Sequence, residues 1–181
     1  MEVDAPMPAD GRPSTTIRRA TAGDVDFLAE LYTDADVDPF LGPRQARDRD
    51  AVLADVERSL AEPQAYGVMV IEVDGERAGA MSFNQVSEPN RIAHCGGLAV
   101  HPDFRGRRIA DDAARQLQRY LLLELDYHRI EMAVYGFNER SLVHAQRAGW
   151  IREGVKRQAY LRHGEWQDAV QFSLLREDLD S

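Results

Sequence analysis

The stretch of sequence from Leu98 to Leu117 decides the fold, and it reads LAVHPDFRGRRIADDAARQL. It starts as the apolar end of a strand, stops at Pro102 and passes through a turn containing Gly106 into a helix from about Arg108. A helix N-terminus behind such a turn offers unpaired backbone N–H groups and a positive dipole end, which together attract anions. Three of the four residues 105–108 are arginine, the densest cationic cluster in the chain. Because guanidinium groups suit phosphate, the stretch predicts a phosphate-binding turn; a solvated basic turn is the alternative.

The segments on both sides of this unit alternate between strand and helix patterns. The predicted elements are strands at 15–20, 66–73, 77–85, 91–100, 128–135, 150–160 and 169–175, and helices at 21–33, 47–60, 108–125 and 138–148. Asp74-Gly75 is a strong two-residue hairpin signal, so its flanking strands are antiparallel, whereas the crossover through the helix at 108–125 joins parallel strands. Gly96-Gly97 interrupts its strand and marks a bulge or a close backbone approach. The order β-α-α-β-β-β-α-β-α-β-β predicts an α/β (α+β) fold with one mixed sheet.

Length and composition describe one soluble globular domain. The chain has 181 residues, a formal charge of −9 and a single cysteine, Cys95, which cannot form an internal disulfide. We therefore expect a reducing, cytoplasmic compartment. We expect the proline-rich residues 1–14 to be a disordered tail and residues 15–181 to form the domain. No apolar run approaches the roughly 18 residues of a membrane helix, and the acidic start differs from a signal peptide, so we expect no membrane association.

The acidic charge is concentrated in the first half of the chain. Residues 1–90 hold 18 acidic and 8 basic residues, whereas residues 91–181 hold 13 and 14. An acidic chain binds nucleic acid poorly, because affinity for a phosphate backbone comes from clustered cations. An acid-lined mouth instead attracts a cationic small molecule. We therefore expect no nucleic-acid partner and a cationic ligand on the side formed by the first half.

The arginine-rich turn resembles the signature of the GNAT superfamily of acetyl-CoA-dependent N-acetyltransferases, Arg/Gln-x-x-Gly-x-Gly/Ala. Arg105 and Ala110 match its first and last positions, and Arg108 stands where the family has glycine. Residues 138–141, NERS, look like the start of the family's following helix. The pattern in residues 153–175 is similar to the branch that includes the ribosomal-protein N-terminal acetyltransferases. The chain is thus identified as resembling a single-domain member of this superfamily.

This resemblance implies a sheet whose central strands splay apart, with acetyl-CoA as the acetyl donor and no metal. It implies that the pyrophosphate lies on the backbone N–H groups of the turn and that the pantetheine arm runs along the preceding strand end. The implied cofactor residues are Leu98, Ala99, Val100, Arg105, Gly106, Arg107, Arg108, Ile109, Ala110, Asn138 and Ser141. At Arg108 we expect a helical φ, which needs no glycine, and a side chain that points away or folds over the ligand.

Acetyl transfer to an amine needs a neutral amine, donors for the tetrahedral oxyanion and a proton for the leaving thiolate. The residues that the family often uses for two of these tasks are absent, because Gly96-Gly97 replaces a strand acid and Ala145 replaces a helix tyrosine. Ser141 is the implied proton donor, since a thiolate with a pKa of about 8.5 needs little help. The candidates for the base are Glu88, His94 and His144, with a chain of waters as the alternative.

The resemblance places the acceptor pocket between the first two helices and the third strand. The residues that fall there are Tyr32, Phe40, Phe83 and Asn84, with core packing as the alternative for the two phenylalanines. We expect a primary amine acceptor, either a small cationic metabolite or a peptide N-terminus, that attacks directly in a ternary complex. A non-catalytic acyl-CoA-binding regulatory module is the alternative function, and an acyl-cysteine at Cys95 is the alternative route. A homodimer is compatible with this branch.

Overall fold

The computed structural model describes residues 13–179, and within them seven strands and four α-helices follow in the predicted order. The elements are β1 (Thr15–Arg19), α1 (Val25–Thr33), α2 (Arg49–Ala61), β2 (Tyr66–Val73), β3 (Glu76–Ser87), β4 (Ile92–Val100), α3 (Ile109–Arg119), β5 (Arg129–Tyr135), α4 (Glu139–Arg147), β6 (Ile151–Arg162) and β7 (Glu165–Leu175). A π-helical turn, Tyr120–Glu124, extends α3 close to its predicted end. The predicted fold class is confirmed.

The strands form one mixed sheet in the order β1-β2-β3-β4-β5-β7-β6. All neighbouring pairs are antiparallel except β4 and β5, which are parallel, as the helical crossover between them requires. Helices α1 and α2 cover one face with apolar residues such as Leu28 and Val56. Helices α3 and α4 cover the other face, where Ile109, Leu117 and Ala145 are buried. Each helix therefore buries the apolar stripe that its sequence period predicts.

Strand β4 contains the predicted bulge. Ala80 pairs with Ala99 and Ser82 pairs with Gly96, so two residues of β4, Gly97 and Leu98, lie opposite one residue of β3. Gly97 has a φ of +61°, in the left-handed region that glycine adopts without steric cost. Pairing between β4 and β5 ends before the bulge, at residues 94 and 131. The central strands separate beyond that point, which confirms the predicted splay.

The last hairpin is longer than the sequence pattern predicts. The final strand begins at Glu165 rather than at residue 169, and β6 continues to Arg162, so only the turn His163-Gly164 separates the two strands. Nearly all residues of β6 are exposed. Without a buried face, the strand has no alternation of apolar and polar residues that would have shown its full length.

The N-terminal prediction lies mostly outside the described residues. Of the tail predicted at residues 1–14, only residues 13 and 14 are described, and Ser14 exchanges two backbone and side-chain hydrogen bonds of 3.0 Å with Asp74. These bonds continue the pairing of β1 with the hairpin turn. Among residues 13–179, no helix combines the length and the apolar character needed to cross a bilayer.

Candidate active site

A cavity of about 360 Å³ opens where β4 separates from β5. Its walls come from the loop after α1, the end of β4, the turn before α3, and the exposed side of α4. All the predicted cofactor residues except Arg107 line it. The further lining residues, which the sequence did not single out for this role, are Asp36, Val37, Leu41, Phe104, Arg140, His144 and Arg147. Phe40, predicted as an acceptor residue, also lies here.

The turn before α3 has a left-handed backbone at two positions. Gly106 has a φ of +80°, and Arg108 has a φ of +59° with a ψ of 19°. The helical φ expected at Arg108 is therefore wrong. The chain reverses at this residue before α3 begins, and the Arg108 carbonyl accepts the first helical hydrogen bonds, from Asp111 at 3.0 Å and Asp112 at 3.2 Å. Glycine at this position in the family signature meets the same backbone requirement.

Replacing Arg108 with glycine is expected to stabilise the fold. A left-handed backbone costs a non-glycine residue about 1–2 kcal/mol, and the greater freedom of glycine in the unfolded chain offsets part of the gain. We expect the free energy of unfolding to rise by roughly 0.5–1 kcal/mol, which is about 2 °C in melting temperature for a chain of this size. Arg107→Gly is the matched control, because Arg107 is not among the positive-φ residues. An equal or larger gain in that control would contradict the explanation.

The three arginines of the turn differ in what they contact. Arg105 donates from Nε to the carbonyl of Val100 at 3.3 Å and from Nη2 to the carbonyl of Asp36 at 3.2 Å, so it fastens the loop after α1 to the end of β4. Arg107 is exposed, and its guanidinium lies 6.0 Å from the Phe104 ring centre. Arg108 lines the cavity, and its side chain makes no hydrogen bond or ion pair to the described residues. Its guanidinium is therefore free to meet an anion.

Helix α4 begins at a side-chain cap that faces the cavity. The Oδ1 atom of Asn138 accepts a hydrogen bond from the backbone N–H of Ser141 at 3.2 Å, which satisfies one unpaired donor of the first turn. Asn138 is nearly buried, and its amide nitrogen remains a donor at the cavity wall. Ser141 lines the same cavity. Ala145, at the position where the family often has tyrosine, is fully buried and contributes no polar group.

A polar triad joins α3 to α4 at this wall, with Asp111 and His144 buried and Arg147 half exposed. Asp111 lies 2.7 Å from Nδ1 of His144 and accepts bonds of 2.9 and 3.2 Å from Arg147. Burial opposes ionisation of Asp111, but the hydrogen bonds to these two residues outweigh it and lower the pKa of the carboxyl. Burial lowers the pKa of His144. A carboxylate only accepts, so Nδ1 carries the proton and Nε2 is the free acceptor of a neutral imidazole.

A second cavity, of about 160 Å³, lies on the α1 and α2 side of the sheet. The predicted acceptor residues Tyr32, Phe83 and Asn84 line it, whereas Phe40 does not. It reaches the bulge of β4, because Ser82, which lines it, donates to the carbonyl of Gly96 at 3.2 Å. Gly97 lies beside Ser82 and Gln45 of this cavity, and the next residue, Leu98, lines the first cavity, so the two cavities approach each other at the bulge. The remaining lining residues are Arg44, Gln45, Val52, Asp55, Tyr66 and Val68.

The predicted base candidates lie at very different distances from the bulge. A Cβ built on Gly96 would lie 3.9 Å from Nε2 of His94, so this imidazole lies beside the bulge, although His94 lines neither cavity. Burial lowers the pKa of His94, although the charge of Glu131 opposes the shift. Glu88 is exposed in the turn after β3, six residues or about 20 Å along the strand from Ser82. The structure therefore leaves Glu88 outside both cavities.

An acyl-cysteine route would need a reactive thiol at Cys95, and metal-assisted chemistry would need a group of ligating side chains. Cys95 is buried within the apolar cluster under α3, and burial raises the pKa of its thiol to about 12. Such a thiol is almost wholly protonated at neutral pH and is a poor nucleophile, which disfavours the acyl-cysteine route. Within residues 13–179, no three histidine, cysteine, aspartate or glutamate side chains form a group that could hold a metal ion.

Comparisons with known proteins agree with this geometry. The family model described as an acetyltransferase (GNAT) domain matches residues 15–151. A Bacillus subtilis protein named as a probable N-acetyltransferase, YjcK, is 33% identical over 127 residues, 70% of each chain. The spermidine N-acetyltransferase of Vibrio cholerae, solved with CoA and spermine, has a TM-score of 0.80 at 18% identity, covering 92% of this chain and 98% of its own.

A second solved structure, the ribosomal-protein-S5-alanine acetyltransferase of Vibrio fischeri, also has a TM-score of 0.80. It is 16% identical and the match covers 91% of this chain and 94% of that one. At such identities the likeness of both structures shows the fold alone. The family model spans most of the chain, including the strand, turn and helix from which the family resemblance was predicted. The chain therefore belongs to the GNAT acetyltransferase family and is an acetyl-CoA-dependent N-acetyltransferase.

Proposed function

We propose that the protein transfers the acetyl group of acetyl-CoA to the primary amine of a small cationic acceptor, by direct attack within a ternary complex. The observation that carries the proposal is a pair of cavities that approach each other at the β4 bulge, where Leu98 lines the first cavity and Gly97 lies beside Ser82 of the second. The first cavity has a helix N-terminus and free cationic groups, which suit an anionic donor. The second has aromatic walls and a carboxylate, which suit an ammonium group.

The residues of the first cavity fit the donor. The backbone N–H groups of Gly106, Ile109 and Ala110 precede or open α3, where the helix dipole favours a pyrophosphate. Arg108 adds an unpartnered guanidinium. Residues 98–100 leave one strand edge unpaired, because β4 has separated from β5, so its backbone groups are available to an extended amide-containing arm. When bound, acetyl-CoA supplies the acetyl group as a thioester.

Two side chains near the opening suit the proton transfers. His94 is the base candidate that the geometry favours, because a neutral imidazole beside Gly96 is able to accept the proton of an incoming ammonium, directly or through water. Ser141 is the donor that we assign to the departing thiolate. The oxyanion requires N–H donors, and we assign this role to the backbone of the β4 bulge.

The acceptor is the less constrained part of the proposal. The solved relatives include one bound to spermine and one that acts on a ribosomal protein, so the family fold accommodates small polyamines and peptide N-termini. The second cavity, at about 160 Å³, suits a slender alkylamine better than a folded peptide segment with side chains. We therefore favour a small cationic metabolite. The net negative charge of the chain argues against a nucleic-acid acceptor.

Thiol release from acetyl-CoA in the presence of alkylamines, polyamines, amino acids and short peptides tests the proposal. We expect Ser141→Ala to lower kcat by roughly tenfold to a hundredfold, the low end for a general acid because the thiolate is a good leaving group. The KM for acetyl-CoA should change little. Ser87→Ala, a serine at the distant end of β3, is the matched control and should keep full activity.

Two results would contradict the proposal. Full activity of Ser141→Ala would remove this serine from the mechanism while leaving the enzyme class intact. Binding of acetyl-CoA without thiol release for any amine would overturn acetylation of a small cationic acceptor. Equilibrium binding of acetyl-CoA, measured by calorimetry on the same preparation, separates the second result from a loss of the folded state.

A further inference from the structure

Two side-chain oxygens flank Gly97 on the side of the second cavity. A Cβ built on Gly97 would lie 2.9 Å from Oγ of Ser82 and 3.2 Å from Oε1 of Gln45, and both side chains line that cavity. Two oxygens so close to one point are within reach of a single nitrogen, whose hydrogen bonds to oxygen are about 2.7–3.2 Å long. Because glycine has no side chain, the space between the two oxygens stays open.

Ser82 presents lone pairs to this space rather than a proton. Its hydroxyl donates to the carbonyl of Gly96 at 3.2 Å, so the single O–H of the side chain is used within the bulge. A hydroxyl oxygen keeps acceptor lone pairs when its proton is donated elsewhere. The same bond holds Ser82 against β4 at the point where the pairing of β3 and β4 becomes irregular. Oγ of Ser82 is therefore a fixed hydrogen-bond acceptor.

Gln45 presents its carbonyl oxygen to the same space because its amide nitrogen is engaged elsewhere. A hydrogen bond from Gln45 favours the ionised form of Tyr32, so the amide nitrogen donates to the phenol oxygen, although burial outweighs this effect and raises the pKa of Tyr32. Oε1 of Gln45 then faces Gly97. Among residues 13–179 this oxygen accepts no hydrogen bond, so its acceptor capacity is unused.

The loop between α1 and α2 fixes Gln45 through its own hydrogen bonds. The backbone N–H of Gln45 donates to the carbonyl of Gly42 at 3.1 Å, and the carbonyl of Gln45 accepts from Arg47 at 2.8 Å. Arg47 also pairs with Asp38 of the same loop. Because the backbone and the amide nitrogen are both fastened, Oε1 needs little further ordering when a ligand binds, and such preorganisation favours affinity.

The two oxygens match the hydrogen-bonding groups of a primary amine. A neutral primary amine has two N–H donors and one lone pair. If the two donors face Gln45 and Ser82, the lone pair is directed away from both oxygens. Leu98, the residue after Gly97, lines the first cavity, in which the proposed function places the thioester. An amine held in this way is oriented for attack, which is the contribution that positioning makes to such a reaction.

We propose that Oε1 of Gln45 and Oγ of Ser82 bind the attacking nitrogen of the acceptor, so that the site selects primary amines over N-methylated amines. This inference rests on the proposed function, since it places the acceptor in the second cavity. Both oxygens only accept hydrogen bonds, and neither gains or loses a proton, so the bond changes and proton transfers remain those of the proposed reaction. A methyl group on the nitrogen removes one N–H donor and leaves one oxygen without its partner.

The test compares amines that differ only at the nitrogen. We would measure kcat/KM for 1-aminoalkanes from propane to octane and for their N-methyl derivatives, with wild type, Gln45→Met, Gln45→Glu and Ser82→Ala. Methionine keeps the length of glutamine without an oxygen, whereas glutamate keeps an oxygen acceptor. Gln64→Met makes the same change at an exposed glutamine outside both cavities and is the matched control. Thermal melts confirm that each variant is folded.

We expect wild type to prefer the primary amine over its N-methyl derivative by at least tenfold in kcat/KM. Gln45→Met and Ser82→Ala should each lower kcat/KM for the primary amine by roughly fivefold to tenfold, mainly through KM, because each removes one hydrogen bond. The N-methyl amine should change by less than about twofold, because it can turn its single N–H to the remaining oxygen. Gln45→Glu and Gln64→Met should keep the preference.

Two results of these assays would overturn the inference while amine acetylation still supported the proposed function. The first is a wild type that acetylates primary and N-methyl amines equally well. The second is a full preference for the primary amine in either variant that lacks an oxygen, Gln45→Met or Ser82→Ala.

Calorimetry decides the inference if no amine is acetylated. The probes are 1-aminohexane and hexyltrimethylammonium, which carry the same charge but differ in their N–H donors, each titrated into protein saturated with CoA. Binding of 1-aminohexane that is at least fivefold weaker to Gln45→Met than to wild type, with equal binding of hexyltrimethylammonium, would support the two acceptors even though the proposed reaction had failed. A loss shared by both probes, or equal or absent binding of 1-aminohexane to both proteins, would overturn them.

Discussion

Asp24→Asn is expected to lower the free energy of unfolding by about 3 kcal/mol, which is roughly 6–12 °C in melting temperature for a chain of this length. Asp24 is fully buried before α1. Arg18 binds it through two parallel bonds of 2.7 and 2.9 Å, and Arg77 donates from Nε at 2.7 Å. Asparagine removes the charge that both guanidinium groups share, yet it preserves the volume, so the effect reports on electrostatics rather than on a cavity.

The Asp24 cluster ties together elements that are far apart in the sequence. Arg18 belongs to β1 and also pairs with Glu72 of β2 at 2.8 Å, while Arg77 belongs to β3. The backbone N–H of Thr21 donates to the same carboxylate at 2.8 Å. Because both arginines are partly exposed, water can solvate them after the substitution. We therefore take the low end of the range for breaking a buried ion pair.

The pH dependence of stability gives a second measurement of the same cluster. The hydrogen bonds from Arg18 hold the pKa of Asp24 well below its usual range, against the opposing effect of burial. A lowered pKa in the folded state means that the stabilisation is complete above about pH 4, the unfolded value, and is lost as pH falls further. The difference in stability between wild type and Asp24→Asn should therefore shrink below pH 4.

Asp26→Asn is the matched control for this prediction. Asp26 lies two residues further along, and its pair with Arg49 at 2.8 Å is exposed on both sides. Exposed pairs contribute little, so we expect a change of under about 0.5 kcal/mol and no special dependence on pH. Urea unfolding of the three proteins at several pH values provides the measurement. If both substitutions lowered the free energy of unfolding equally, the buried ion pairs of Asp24 would contribute no more to stability than the exposed pair of Asp26.

The sequence predicted the fold well because local patterns determine most of it. The Asp74-Gly75 turn and the strand-like run Tyr66–Val73 before it predicted one strand to the residue, and the glycine pair at 96–97 predicted the bulge. The β6 and β7 hairpin was predicted too short, because an exposed two-stranded ribbon lacks a buried face. Local pattern is informative where one side of an element packs against the core, and it fails where neither side does.

Ten of the residues that line the first cavity are ones that the sequence had predicted as cofactor residues, because these are close in sequence. The turn, the end of β4 and the start of α4 come from two short segments, and each belongs to a recognisable motif. Contacts between distant segments had no such signal. Nothing in the sequence pairs Asp111 with His144, because the two residues are 33 positions apart. Asp55 and Tyr66 meet between a helix and a strand, and no spacing rule connects them.

The structure shows which acidic residues of the first half are paired with arginines and which line a cavity. Many of its acids are neutralised by arginines of the same half, for example Asp24 by Arg18 and Asp38 by Arg47. Among the described residues, Asp55 is the one acid that lines the second cavity. Part of the acidic charge of the first half is therefore used in ion pairs within that half, and one acid lies beside the second cavity.

Gly97→Ala is expected to lower kcat/KM by about a hundredfold and stability by about 2 kcal/mol. A Cβ at this position would lie 2.9 Å from Oγ of Ser82 and 3.2 Å from Oε1 of Gln45, and the φ of +61° strains any side chain. The protein can relieve the strain by losing the bulge. The register of β4 would then slip by one residue, which turns residues 98–100 to the opposite face and removes the cavity wall.

Two glycine controls separate crowding and strain from the mere loss of glycine. Gly96→Ala changes the neighbouring residue, where φ is not in the left-handed region and the nearest atom, of His94, is 3.9 Å away, so we expect near-normal stability. Gly75→Ala, at a φ of +83° with open space around it, should cost about 1–2 kcal/mol without affecting acetylation, because the hairpin is remote from both cavities. Unfolding curves and acetyl-CoA kinetics on all three variants give the measurement. The prediction would be contradicted if Gly97→Ala lost only as much stability as Gly75→Ala and kept its kcat/KM. The same backbone strain would then have left the site intact, and the bulge would not be what holds the opening.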